Sequence, residues 1–139
     1  QDGEKSIQSL AENAQYVVLY FYPKDNTPGC TTESIGFQAN LENFTNNHAV
    51  VIGVSRDSAS SHDKFACKYD LKFSLLADTE SKICDAFDVI KEKNMFGKIG
   101  HGIERSTFIL DIHGKILKEW RKVKVDGHVE DVLETIKSL

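Results

Sequence analysis

The chain has 139 residues, 40% of them hydrophobic and 27% charged, with three cysteines and a net charge of -4 at pH 7. That length suits one domain, residues 1–139, with enough apolar side chains to bury a core. The acidic balance excludes a general affinity for nucleic acid or an anionic membrane, and the longest apolar run, seven residues from Tyr16 to Tyr22, falls far short of the roughly 20 that a membrane-spanning helix needs.

Gln1, Asp2, Gly3 and Glu4 offer neither a basic start nor an apolar signal core, so no targeting peptide is read, and an opening Gln suggests a processed or shortened chain. The run Tyr16 to Tyr22 is β-branched and aromatic and ends at Pro23, which predicts a strand buried on both faces and hence a parallel sheet. Residues 23–29 form a turn-rich loop, after which Phe37, Leu41 and Phe44 recur at helical spacing. Ala49 to Val54 reads as a second buried strand, Ser58 to Tyr69 as a second helix, Phe73 to Leu76 as a short strand and Thr79 to Phe87 as a short helix. Residues 91–104 hold three glycines and no clear period, which predicts a long functional loop. Ser106 to Ile112 and Lys115 to Val125 flank His113-Gly114 as a hairpin, and Val129, Val132, Leu133 and Ile136 mark a final amphipathic helix. The order β-α-β-α-β-α-β-β-α gives an α/β fold with a mixed central sheet and helices on both faces.

Cys30 carries the most chemical information. With Thr27 as N-cap and Pro28 at the first helical position, it falls in the first turn, where unpaired N–H groups and the helix dipole favour an anion, here a thiolate nucleophile. A buried, inert cysteine at a helix start is the alternative. The position three residues on is Glu33, which excludes a Cys-x-x-Cys dithiol. No histidine stands at metal-ligand spacing from another histidine or a cysteine, so neither a metal site nor a cofactor is expected. His113 reads as a turn residue, His62 as exposed near a helix start, and His101 as a loop residue. Arg121, Lys122 and Lys124 alternate with Val123 and Val125 and read as a solvated strand edge rather than a phosphate site. Three cysteines cannot all pair within one chain, which fits a reducing, cytoplasmic setting.

The stretch Phe21-Tyr22-Pro23-Lys24-Asp25-Asn26-Thr27-Pro28-Gly29-Cys30-Thr31-Thr32-Glu33 resembles the active-site signature of peroxiredoxins of the bacterioferritin comigratory protein, or peroxiredoxin Q, subfamily. Residues 87–95 and 102–108 are similar to that subfamily too. The resemblance implies a thioredoxin-like fold, a thiol-dependent peroxidase acting on hydrogen peroxide and organic hydroperoxides, thioredoxin or glutaredoxin as reductant, and a monomer. It implies that Cys30 is the peroxidatic cysteine, that Thr27 hydrogen-bonds the peroxide, that Pro23 shields the site, and that Arg105 stabilises thiolate and transition state. Thiolate attack on an O–O bond moves negative charge onto the leaving oxygen, which a fixed guanidinium fork suits better than a lysine. Relative to the subfamily, the chain begins inside its first hairpin.

Many members carry a resolving cysteine five residues after the peroxidatic one; here that position is Ile35, so that route is closed. Other members place it on the next helix, where this chain has Cys67. Cys67 lies about 200° around that helix from Phe65, among Asp63, Lys64 and Asp70, and is expected to be accessible. Cys84, beside Ile83 and Phe87, reads as a small core hydrophobe. Cys67 is the preferred resolver, with Cys84 or an external thiol as alternatives; a one-cysteine peroxiredoxin and a non-catalytic redox sensor remain competing readings.

Overall fold

The computed structural model describes residues 3–139; the expectations concerning Gln1 and Asp2 lie outside the described residues. The chain runs α1 (Gly3–Leu10), β1 (Tyr16–Phe21), α2 (Pro28–Ala39), α3 (Leu41–Asn46), β2 (Ala49–Ser55), α4 (Ala59–Tyr69), β3 (Ser74–Ala77), α5 (Lys82–Ala86), β4 (Ile90–Met95), β5 (Lys98–Ile103), β6 (Ser106–Leu110), β7 (Ile116–Trp120) and α6 (His128–Lys137). Five strands form one sheet in the order β3-β2-β1-β6-β7. β1 pairs parallel with β2, and β2 with β3, whereas β6 runs antiparallel to both β1 and β7. This is the mixed sheet that the element order predicts.

The central strand shows why its sequence is apolar throughout. Val18, Tyr20 and Tyr22 face a core shared with Phe37, Phe44, Phe65, Ile109, Val129, Val132 and Ile136. Val17, Leu19 and Phe21 face a second core with Ile52, Val54, Ile83, Cys84, Val89, Ile103 and Phe108. Because side chains alternate along a strand, a strand covered on both faces must be apolar at every position. Each such side chain, fully buried, contributes roughly 1.5–3 kcal/mol.

The structure departs from the sequence reading in five places. The helix expected through Phe37, Leu41 and Phe44 is two helices, broken at Asn40, whose side-chain amide donates to the Gly36 carbonyl at 3.0 Å and so competes with the backbone ladder. The break spans one residue, and Phe37 and Phe44 stay buried on one face. The stretch ahead of β1 is the helix α1, not part of a hairpin.

Residues 91–104, read as a loop, form most of an antiparallel ribbon of β4 and β5 that stands outside the main sheet. Its turn is Phe96-Gly97, with φ of 55° and 80°, the two positive values of a type I′ hairpin. The outer strand Lys98–Ile103 is largely exposed, so no buried face imposed an alternating pattern for the sequence to display.

The β6–β7 hairpin is closed by residues 111–115 rather than by two residues. Asp111 accepts hydrogen bonds from the N–H groups of His113 and Lys115, at 2.8 and 2.9 Å, and His113 is a turn residue as expected. β7 ends at Trp120, so Arg121, Lys122 and Lys124 are not a strand edge. Arg121 instead donates to the carbonyls of Asp88 and Phe87, at 2.7 and 2.9 Å, and lies over the Phe108 ring. The carbonyl oxygens just past α5 take the place of an anion.

Candidate active site

Cys30 is the third residue of α2, with Pro28 first and an extended Thr27 (φ -90°, ψ 155°) as N-cap. The helix starts where the sequence predicts, but the Thr27 side chain does not cap it. Its hydroxyl donates to the Lys24 carbonyl at 2.8 Å, closing the turn that begins at Pro23. Thr27 is half-buried and Pro23 exposed.

The Cys30 sulfur is fully buried. Arg105, which follows β5 and precedes β6, reaches over the first turn of α2 and donates through Nη2 to Cys30 Sγ at 3.3 Å. Its other terminal nitrogen, Nη1, donates to Glu33 Oε1 at 2.8 Å. One planar fork thus holds a sulfur and a carboxylate one helical turn apart, a geometry that lysine cannot reproduce. Burial opposes the charge on Arg105, but Glu33 and Cys30 outweigh it and raise its pKa further.

Gly29 makes the approach possible. A β-carbon at Gly29 would stand 3.0 Å from Arg105 Nη2.

Glu33 was read from the sequence only as the residue that rules out a second thiol. Its spacing of three from Cys30 on a helix was the available signal that the two share a face. Glu33 is fully buried, and burial, only partly offset by Arg105, pushes its pKa up from 4.5 to about 7. Among the described residues its Oε2 has no hydrogen-bond partner, and it faces His128 Nε2 at 4.0 Å. Burial first, and then Arg105, push the His128 pKa down from 6.5 to about 4, so this contact is no ion pair at neutral pH. His128 Nε2 bonds Thr107 Oγ1 at 2.8 Å instead.

A second network lies under the loop that enters Cys30. Tyr22 donates to Asp25 Oδ1 at 2.6 Å, Ser61 donates to Asp25 Oδ2 at 2.8 Å, and His62 Nδ1 lies 2.7 Å from the same oxygen. His62 is buried, not exposed as the sequence suggested, because it points into this network. His101 is exposed on β5, and its carbonyl accepts from Arg56 Nη2 at 3.0 Å.

All three cysteines are free. Cys67 is exposed on α4, as its helical position predicts, and the structure does not bring it to Cys30 by any bond. Cys84 is fully buried, and burial, followed by the neighbouring Asp78, pushes its thiol pKa well up. Among the described residues no cluster of His, Cys, Asp or Glu could hold a metal, and no helix is long and apolar enough to cross a membrane.

A profile of the AhpC/TSA family matches residues 1–119. Peroxiredoxin Bcp of Bacillus subtilis is 55% identical over 138 residues, which is 99% of this chain and 88% of that one. Peroxiredoxin Bcp of Escherichia coli is 36% identical over 137 residues, 99% of this chain and 87% of that one. Among solved structures, Xanthomonas campestris peroxiredoxin Q superposes with a TM-score of 0.86 at 52% identity, over 91% of this chain and 80% of that one. Another structure of that organism's bacterioferritin comigratory protein, with the same score, identity and coverage, was determined with trapped intermediates and ligands to explain its alkyl peroxide reduction activity. The thioredoxin-like fold is shared across these structures.

Proposed function

The chain belongs to the AhpC/TSA family and is a peroxiredoxin of the Bcp and peroxiredoxin Q type, a thiol-dependent peroxidase, and from that premise we propose that Cys30 is the sulfur that attacks peroxide. The observation that carries this reading is the 3.3 Å hydrogen bond from Arg105 Nη2 to a fully buried Cys30 Sγ at the start of α2.

The Cys30 thiolate attacks the terminal oxygen of the hydroperoxide. An S–O bond forms as the O–O bond breaks, and the departing oxygen takes a proton to leave as water or an alcohol. Arg105 stands beside the sulfur where negative charge moves from sulfur to the leaving oxygen, and its donors are already fixed by Glu33. Thr27 and Pro23 form the rim through which the substrate enters. Hydrogen peroxide and organic hydroperoxides are both substrates in this reading, the latter supported by the alkyl peroxide reduction of the Xanthomonas campestris relative.

The Cys30 sulfenic acid then condenses with the Cys67 thiol, releasing water and leaving a disulfide, which a dithiol protein, thioredoxin or glutaredoxin, reduces with two electrons. The exposure of Cys67 and the deep burial of Cys84 favour this choice. A disulfide needs Cα atoms within about 7 Å, so α2 and α4 must locally unwind in each turnover. Both core clusters rest on one sheet, which supports a single domain over residues 1–139. The resemblance supports a monomer, and the odd cysteine number a reducing cytoplasm.

One equivalent of peroxide added to the reduced protein should yield a Cys30–Cys67 disulfide by mass spectrometry, and catalytic turnover with NADPH, thioredoxin reductase and thioredoxin. Normal thioredoxin-dependent recycling by Cys67→Ser would overturn the resolver assignment in favour of Cys84 or an external thiol. Peroxide reduction that survives Cys30→Ser would overturn the whole reading.

A further inference from the structure

His62 is buried at 3% exposure and takes no part in the chemistry above. Its Nε2 lies 3.0 Å from the Leu76 carbonyl on β3, and its Nδ1 lies 2.7 Å from Asp25 Oδ2. A carbonyl only accepts, and so does an ionised carboxylate, so each ring nitrogen has a partner for a hydrogen. That demand is met in full only by the doubly protonated ring.

The surroundings select that charge state. Burial disfavours charge on both partners, yet the bonds from His62, Tyr22 and Ser61 hold the Asp25 pKa below its ordinary 3.8, and Asp25, the Leu76 carbonyl and Asp57 hold that of His62 above 6.5. Asp25 faces His62 from the loop, the Tyr22 hydroxyl from the end of β1 at 3.4 Å, the Leu76 carbonyl from β3, and Asp57 from the turn after β2. Asp57 also accepts from the Asp25 N–H at 2.7 Å, which fixes the loop from a third side.

Three elements meet at this ring: the loop that enters Cys30, helix α4, and strand β3. We propose that His62 is a positioning residue whose imidazolium latches the Cys30 loop to α4 and β3, so that loss of its proton frees the helix that carries Cys67. The link to disulfide formation rests on the reading of Cys67 given above; the latch itself does not.

A neutral ring has one hydrogen for two buried acceptors, so one bond fails when the proton leaves. Because the folded value of His62 is raised, the latch is complete below about pH 6.5 and weakens as pH climbs through the folded value. Asp25 works in the opposite sense, being lowered, and fails only in acid, as pH falls below 3.8. The latch is therefore closed in mild acid and opens as the pH climbs through the raised folded value of His62.

The test is amide hydrogen exchange of the reduced full-length protein from pH 6 to pH 9, corrected for intrinsic exchange. In the wild type, opening of α4 should increase about tenfold or more across that range, the size of one charge-assisted bond, while α6 serves as an internal control. Asp25→Asn should flatten the response without opening the helix. The new amide can donate to a neutral His62 Nδ1 and to Ser61, while its oxygen still accepts from Tyr22, so every bond survives, those to His62 and Ser61 with their polarity reversed. His62→Ala should leave α4 poorly protected at every pH. An α4 response in Asp25→Asn equal to that of the wild type, or wild-type protection in His62→Ala, would overturn the latch. Should α4 open as expected while the peroxide-induced disulfide still forms in Cys67→Ser, the latch stands and the resolver assignment falls.

Discussion

Gly29 lies directly beneath Arg105, where a β-carbon would meet Nη2 at 3.0 Å. In most helices an alanine in place of glycine is favourable by up to about 1 kcal/mol. Gly29→Ala should therefore keep or raise the unfolding midpoint while lifting the guanidinium off Cys30, with a loss of about tenfold in the rate of Cys30 oxidation. Stopped-flow kinetics beside thermal unfolding separates the two, and an unchanged rate would show that Arg105 works without its close seat.

Arg105→Lys tests the fork itself. A single ammonium cannot span Cys30 Sγ and Glu33 Oε1, which Nη2 and Nη1 hold at 3.3 and 2.8 Å. The expected loss in the peroxide step is about 100-fold, the usual effect of removing a preorganised donor at developing charge. A loss under threefold would assign the cation only a long-range role.

Glu33 gives the fold a pH dependence of unusual sign. Its pKa rises from 4.5 to about 7, so the folded state keeps a proton that the unfolded chain releases. Stability therefore falls between those values, by at most about 3 kcal/mol, and is level above them. His128, pushed down from 6.5 to about 4, acts the other way and loses stability as the pH drops through that interval. Urea unfolding from pH 4 to pH 8 should show Glu33→Gln gaining stability relative to wild type as the pH rises toward 7. Parallel curves for the two proteins would mean that Glu33 titrates alike in the folded and the unfolded chain.

Cys84→Ala should lower stability by about 1 kcal/mol, the cost of a small cavity at a fully buried position, and leave turnover unchanged. A slowed recycling rate in this variant would transfer the resolving role to Cys84.

Phe96 is fully exposed and held at φ 55° in the ribbon turn. Asparagine tolerates that conformation far better, and Asn-Gly is the preferred type I′ pair. Phe96→Asn should slow amide exchange across β4 and β5 by a few-fold; faster exchange would mean that the aromatic ring holds the turn through contacts of its own.

How much of this could be read from the sequence follows from where each signal resides. β1 was legible because burial on two faces leaves seven apolar residues in a row. Cys30 was placed in the first helical turn because Thr27 and Pro28 mark a helix start locally. Arg105 stands 75 residues from Cys30, and no periodicity connects them; only the resemblance placed it. The ribbon of β4 and β5 was illegible because β5 buries only its last residue, Ile103, and so leaves no alternating pattern to show. His62 was misjudged because what buries it, the Leu76 carbonyl and Asp25, comes from two distant segments.

The contrast between Cys30 at 0% exposure and an exposed Cys67 implies an order of poisoning. A bulky electrophile collides first with Cys67, whereas a hydroperoxide is small enough to slip under Arg105 to the sulfur that can use it. Burial thus works as a sieve by size, and covalent modification of this peroxidase begins at Cys67 while Cys30 is still intact.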